Sequence, residues 1–561
     1  MSLFTDASLV MIPSGYKDQK VYSVTPIDGT GDLTFSRSND TATRVNSSGL
    51  IEKVRTNLLK YSQDFSNAAW GKSAGTTLTH SQTDPNGGAT ASRVQMPSGT
   101  SNFFVQTFSG ATNGGKYTHS IYMKSNTGST QSVRLIDSVR GVAGGILTAS
   151  VTTSWQRFGV VTTTASTSAG IQIDNNGGAY NNDILIAFAQ SEESDFGATS
   201  YIPTLGSAVS VGPVANLPRL DYSGGATCPS LLLEPQRTNL VTFSESFDNA
   251  AWTVKDNASI SANATTSPDG TTNADKLVED SSNDMHRVYR ELDGTSSSFS
   301  FFAKAAGRNW VAALSNNGNF TYFDIANGTL GTVAATSTAS ITPFGNGWYR
   351  CVLYNAHATN GGLIQLMTGN NGGAYQGDGT SGAFIWGAQM EVGAYATSYI
   401  PTLSAAVTRG SEDCEKAGIN SLIGGTSGTI FYEIHTNPNM TQASYKQLFY
   451  YTDASAQQGY VYVNSSNYII TNANLGNMTS SITLAQDTTY KIAIAYAPSD
   501  FKLYVNGAEV ASSTSGTPKN FVNILSIGSY SAVSEFNEFG FKQILHFKTR
   551  LSNADLATLT A

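Results

Sequence analysis

The chain has 561 residues, a formal charge of −8, only 13% charged side chains and 54 glycines. That length suggests three or four domains, and the composition points to many short strands joined by tight turns rather than to Lys/Glu-rich helices. There is no basic stripe to hold nucleic acid and no apolar run of about 18 residues to insert into a membrane.

Residues 1–54 read as a leader. Their start, MSLFTDASLVMIPSGYKDQK, has neither the basic nor the long apolar stretch of a signal peptide. Residues 55–205 open with RTNLLKYSQDFSNAAW and continue through HSIYMKS, TSWQRFGVV, NNGGAY and ATSYIPTL. In HSIYMKS, Ile121 and Met123 face one way and Ser120, Tyr122 and Lys124 the other, the period of a half-buried strand. The connector 206–236 carries Pro213, Pro218, Pro229 and Pro235 and reads as a linker or short pairing segment. Residues 237–403 then repeat the series in order: RTNLVTFSESFDNAAW, FSFFAKA, NGWYRCVLY, NNGGAY, ATSYIPTL. The result is a tandem duplication of a unit of about 150–165 residues, domain-sized rather than solenoid-sized. Pro-Asn-Gly, Pro-Asp-Gly and Asn-Gly-Gly mark turns between the runs, so each copy is predicted to be a β-sandwich. The tryptophans at matching places, Trp70 with Trp252 and Trp155 with Trp348, read as core residues; an exposed ligand platform is the alternative.

A second connector, 404–426, contains EDCE, and the pattern changes in residues 427–561. TIFYEIHT puts Ile430, Tyr432 and Ile434 on one face. YKIAIAYAPSDFKLYVNGAEV reads as two strands about a loop, then an Asn506-Gly507 hairpin turn, with Phe501, Leu503 and Val505 on one face. LSNADLATLTA predicts a short helix capped by Ser552, with Asp555 at the third position. Cys228, Cys351 and Cys414 are odd in number and far apart, forming neither a disulfide framework nor a zinc pattern.

The pattern NLLxxSxxFxNAAW…GxWxR…GAQxExGxxATSYIPT resembles the jelly-roll, carbohydrate-binding-module-like domains of bacteriophage virion proteins. The second copy fits more fully, with GNGWYR from Gly345 and GAQMEVGAYATSYIPT from Gly387; the first has TSWQR and FAQSEESDFGATSYIPT instead. PRLDYSGGATCPSLLLEPQRTNL, residues 218–240, is similar to a segment recurrent in phage tail-fibre, spike and head-appendage proteins. DLTFSRSNDTATRVNSSGLIEKV, residues 32–54, resembles the leader preceding it there. Residues 427–561 resemble concanavalin A-like, laminin G-like sandwiches.

Catalytic signals are few. The histidines, His80, His119, His286, His357, His435 and His546, show no i, i+4 pairing, and neither H-E-x-x-H nor G-x-S-x-G occurs. Chain order alone leaves a Ser-His-Asp set open. Glu535 and Glu538 stand three apart on a strand and so on opposite faces, unsuited to glycoside hydrolysis. NNGGAY and GDGTSG lack the Lys and following helix of phosphate loops and read as turns. Asp269, Gly270, Asp275 and Asp378 supply oxygens for a structural calcium or, alternatively, solvated turns; the first copy has Asn86 and Ser92 where the second has Asp269 and Asp275. Sugar binding needs exposed aromatic faces beside polar groups. The candidates are Trp310, Tyr322, Tyr375, Tyr180, Tyr450 and Tyr451. Trp310 has no tryptophan counterpart in the first copy; an edge aromatic packed on a neighbour is its alternative role.

The expectation is an all-β chain of three β-sandwich (jelly-roll) domains in series, the first two a tandem duplication and the third concanavalin A-like. The resemblance implies a non-enzymatic tail-fibre or head-fibre component at the virion surface, with multivalent attachment to host-surface polysaccharide. It also implies docking to other virion proteins through residues 1–54 and a homotrimer. No cofactor or resident metal is required. A purely structural component without a sugar ligand and a capsule-degrading spike are the rival readings.

Overall fold

The computed structural model describes residues 3–139, 145–194, 196–292, 297–356, 362–370, 372–393, 395–437, 440, 446–452, 458–518, 524–528 and 539–561. Strands dominate, and the α-helix among the described residues is Asn553–Thr560. Ser552 caps it as the sequence predicts: its hydroxyl accepts from the Asp555 amide and donates to the Asp555 carboxylate at 2.6 Å. The chain divides into two compact units, Val54–Gly212 and the combination of Met1–Lys53 with Pro213–Ala561.

The first unit is one sandwich of two five-stranded antiparallel sheets. One sheet runs Gln156–Thr163, Lys116–Ser125, Asn182–Glu193, Ala91–Met96, Thr77–Gln82; the other runs Leu147–Val151, Gln131–Asp137, Ser168–Asp174, Phe103–Ser109, Gly71–Lys72. Alternation sends Ile121, Met123, Val133, Leu135, Ile171 and Ile184 into the layer between them.

The second unit holds two sandwiches. The second copy builds two six-stranded sheets around Phe299, Phe301, Val311, Leu353, Leu366 and Ile385. The terminal sandwich has an eight-stranded and a nine-stranded sheet among the described residues. Ile430, Tyr432, Ile434, Phe501, Leu503 and Val505 all enter its core, as their alternation predicts. Strands from far upstream complete both sheets. Leu9–Met11 pairs with Phe539–Phe547, and so does Ser230–Leu232, which also pairs with Arg219–Asp221. Leu33–Ser36 pairs with Asp413–Ala417, which pairs with Ile524–Ile527.

The duplicated residues prove to be largely a buried polar frame. Asn57 donates to the carbonyls of Ala189 and Ile202 at 3.1 and 2.8 Å; Asn239 donates to those of Ala388 and Ile400 at 3.2 and 2.8 Å. The indoles of Trp70 and Trp252 donate to the carbonyls of Tyr61 and Phe243, both at 3.0 Å. Tyr61 and Phe243 hold φ of 51° and 52°, a region non-glycine residues enter only when their surroundings impose it. Ser62 meets Tyr201, and Ser244 meets Tyr399, each at 2.6 Å. Trp70 stacks on Phe104 with centroids 5.0 Å apart, and Trp252 packs on Phe247 at 4.4 Å, both inside their sandwiches.

Trp348 is 2% exposed and sits in a buried cluster with Phe302, Trp386 and Ile51, separate from the cluster between the sheets. Trp155 needs a correction: it is half-buried, beside Ala91, Ala187 and Phe188.

Candidate functional site

The sequence candidates scatter, and two of them meet. Trp310–Leu314 is an inner strand of one six-stranded sheet, flanked by Ile364–Met367 and Phe320–Asp324. Val311, Ala313, Phe323, Ile364 and Leu366 point into the core. Alternation therefore turns Trp310, Ala312, Tyr322, Gln365 and Met367 to the outer face. Trp310 lies opposite Met367, and Ala312 lies opposite both Gln365 and Tyr322, so Trp310 and Tyr322 are diagonal neighbours on one surface. Both are half-buried. Gly331 leaves room for the indole: a Cβ there would sit 2.7 Å from Trp310 Cζ3 and 2.5 Å from Asn370 Oδ1. Asn370 holds that rim by accepting from the Thr332 amide at 2.7 Å. On the far side of the Trp310 strand from Tyr322, Gln365 is wholly buried; its amide nitrogen lies 3.8 Å from Met367 Sδ, and its Oε1 has no hydrogen-bond partner among the described residues. A buried amide oxygen left unpaired costs about 1–3 kcal/mol.

The matching face of the first sandwich carries an ion pair: Arg134 lies opposite Asp174, joined by two bonds of 2.7 and 2.8 Å. Gln172 there donates to Asp174 at 2.8 Å, so its polar capacity is used internally.

The other candidates lie elsewhere. Tyr375 is half-buried at one end of the second sandwich. Its hydroxyl donates to Glu279 at 2.7 Å, and its ring lies 5.1 Å from the Arg308 guanidinium and 4.7 Å from His286. Burial and Glu279 both push its phenol up. Tyr180 is half-buried in the first sandwich, beyond the Asn176–Gly178 turn. Tyr450 and Tyr451 are corrected: they retain 7% and 1% exposure and offer no face to a sugar. Their strand, Lys446–Thr452, is an inner strand of the nine-stranded sheet, and Tyr451 packs on Phe449 at 5.0 Å and on buried His546 at 6.0 Å. Burial pushes His546 down to about 3, so it stays neutral.

One constellation imitates catalytic machinery. In the first sandwich Ser191 Oγ lies 2.9 Å from His119 Nδ1, and Asp137 Oδ2 lies 3.4 Å from His119 Nε2. Ser191 and His119 are wholly buried, so the hydroxyl meets no substrate. The second copy has Phe299 in the histidine's place. Glu535, Glu538 and His357 lie outside the described residues.

The acids raised for calcium are engaged separately, and among the described residues no three His, Cys, Asp or Glu side chains group to hold a metal ion. Asp378 caps its own turn through Thr380 and Ser381. Asp269 is taken by Lys53 at 2.7 Å. Asp275 is 1% exposed, accepts from the Phe247 and Asn263 amides, and is pushed by burial from 3.8 up to about 6. The native state therefore keeps a proton that the unfolded chain has released. Its stabilising effect is whole below about pH 4 and is lost as pH rises through about 6. Asp275→Asn is expected to remove that slope. Thermal melting should show the variant gaining on wild type between about pH 4 and 7; a constant difference across that range would contradict the assignment.

An open cleft of about 510 Å³ in the second unit is lined by Thr43, Asp221, Phe344, Arg350, Ser398 and Lys542, among others. Its three acids are engaged internally: Asp221 accepts from the Val45 and Ser223 amides, Glu234 pairs with Arg219 and Arg409, and Asp487 lies 3.1 Å from His435 Nε2.

No protein-family model and no curated protein matches the chain. Several solved structures are similar to parts of it. The CBM40 of the Ruminococcus gnavus IT-sialidase is 13% identical over 26% of this chain and 91% of that one, at a TM-score of 0.22. Domain 4 of AbnA, a GH43 extracellular arabinanase from Geobacillus stearothermophilus in complex with arabinotriose, is 14% identical over 30% of this chain and 81% of that one, at 0.22. The CBM22-1–CBM22-2 tandem of Paenibacillus barcinonensis Xyn10C is 10% identical over 64% of this chain and 99% of that one, at 0.22.

Proposed function

We propose that this chain is a non-catalytic component of a bacteriophage virion appendage that attaches to host-surface glycans, with Trp310 and Tyr322 as its sugar platform. The observation that carries the sugar site is the pair of diagonal, half-buried aromatic rings on one outer sheet face. Such rings meet the C–H faces of a sugar. The first copy carries the Arg134–Asp174 ion pair on the matching face, and the pair of rings is special to the second copy.

The appendage reading rests on the sequence resemblance of residues 32–54 and 218–240. Large apolar side chains left exposed in the first 27 residues, Phe4, Ile12, Val24 and Ile27, suit docking to another virion protein. A homotrimer would present three such platforms together and raise apparent affinity without new contacts.

Glycan-array binding of the full chain tests the site. Trp310→Ala is expected to weaken the best ligand by about tenfold or more, as loss of a central aromatic anchor does. Unchanged binding in that variant, or none by wild type, removes the platform. Light scattering reads the oligomer, and antibody labelling of intact particles by electron microscopy reads the location.

A further inference from the structure

Lys53 ends the Ile51–Lys53 strand, which is tied to the second sandwich by a bond from the Ile51 amide to the Pro268 carbonyl at 3.0 Å. Its Nζ lies 2.7 Å from Asp269 Oδ2 and 3.0 and 2.9 Å from the two oxygens of Glu245. The side chains of Asp269 and Glu245 are 2% and 6% exposed, and that of Lys53 is 22% exposed. The fully buried Trp386 ring stands 5.5 Å from the amine.

The two oxygens of Asp269 are treated differently. Oδ1 accepts three bonds, from Ser267 Oγ at 2.5 Å, the Thr271 amide at 2.9 Å and Thr271 Oγ1 at 2.6 Å. Oδ2 faces Lys53. Glu245 is oriented by Tyr399 OH at 3.0 Å and Asn273 Nδ2 at 3.0 Å. An amine, a carboxyl whose one oxygen is cradled by three donors, and a second carboxylate touching the amine are the parts of an acyl-transfer site. The first copy lacks them, with Gln63 in the place of Glu245 and Asn86 in that of Asp269, so the shared scaffold does not require this set.

We propose that Lys53 and Asp269 condense to an intramolecular isopeptide bond, with Glu245 as the proton carrier. The resting ion pair first passes a proton from Lys53 to carboxylate, leaving a neutral amine and a neutral Asp269 carboxyl. Nζ attacks Cγ, and the oxyanion forms on Oδ1 under the three donors. Glu245 takes a proton from Nζ and delivers it to Oδ2, which leaves as water. The Nζ–Cγ bond forms and the Cγ–Oδ2 bond breaks. Of the three ammonium hydrogens, two depart with the water and one stays on the amide nitrogen. Burial raises Glu245, which favours its holding the proton in transit. The bond would staple residue 53, the last of the leader's strand, to the second sandwich.

The test is intact mass of the purified, denatured full chain, with tandem mass spectrometry of its digest. Wild type is expected to be lighter than its sequence by one water, with the Lys53 and Asp269 peptides joined. Lys53→Arg and Asp269→Ala are expected at full sequence mass. Should those variants misfold, Glu245→Gln decides, since it keeps amine and acceptor: a folded Glu245→Gln chain at full mass supports the mechanism, and one still lacking water removes Glu245 from it. Wild type at full sequence mass overturns the proposal, and so does a water loss on linear peptides, as an imide at Asp269-Gly270 would give.

Discussion

Glutamine in place of Glu412 is expected to lower stability by about 3–5 kcal/mol, the size of effect seen when one partner of a buried ion pair is removed. Glu412 is wholly buried. Its Oε1 accepts from Arg37 Nη1 and Arg219 Nε, both at 2.6 Å; its Oε2 accepts from Arg219 Nη2 and from the Glu234 amide, the latter at 3.0 Å. Glu234, 4% exposed, pairs with Arg219 at 2.7 Å and Arg409 at 2.9 Å. Arg37, Arg219 and Arg409 are 0–1% exposed, and backbone carbonyls of Pro213, Val214, Thr43 and Pro235 take other guanidinium protons. Three buried cations share two buried anions. A neutral residue at 412 leaves Arg37 with no carboxylate partner and Arg219 with one. Equilibrium denaturation of the full chain measures the loss, and a change below about 1 kcal/mol would mean that water screens the knot. The arginines also hold Glu234 far below its usual range of about 4.5, so its contribution is present above that pH and is lost as pH falls. Acid unfolding of Glu412→Gln should therefore begin at higher pH than in wild type.

Asn239→Ala is expected to cost a further large amount, at least about 4 kcal/mol, because one side chain satisfies four buried backbone groups at about 1–3 kcal/mol each. Besides the Ala388 and Ile400 carbonyls, its Oδ1 accepts from the amides of Val241 and Met390 at 3.0 and 3.1 Å. Asn57 repeats the arrangement with the Leu59 and Ser191 amides at 3.2 and 3.1 Å. Asn57→Ala should unfold the first sandwich by a similar margin. A loss near 1 kcal/mol at either site, read by thermal melting and amide exchange, would show that the orphaned groups find water instead.

The asparagine prediction explains the repeated RTNL, and the buried indoles explain the repeated NAAW. Repetition marks them as structural, and the tryptophan reading holds for Trp70 and Trp252. The asparagines ahead of them carry the polar frame, which side-chain alternation cannot reveal because three of each one's four backbone partners are more than a hundred residues away in sequence. Trp310 was legible as a candidate because it broke the repeat. Tyr450 and Tyr451 failed as candidates because a strand interior to a nine-stranded sheet reads no differently, residue by residue, from one at an edge.

The sequence alone determined the all-β class, the duplication, the strand faces of the terminal third and its capped helix. Each follows from residues close together in the chain, through the period of two, turn chemistry and capping. The tertiary structure alone decided that residues 9–36, 219–232 and 413–417 complete the terminal sandwich, that Arg37, Arg219, Glu234, Arg409 and Glu412 share one buried ion-pair network, and that Lys53 meets Asp269. Pairing between distant strands and the desolvation of distant charges depend on which surfaces fold together, and no local pattern records that.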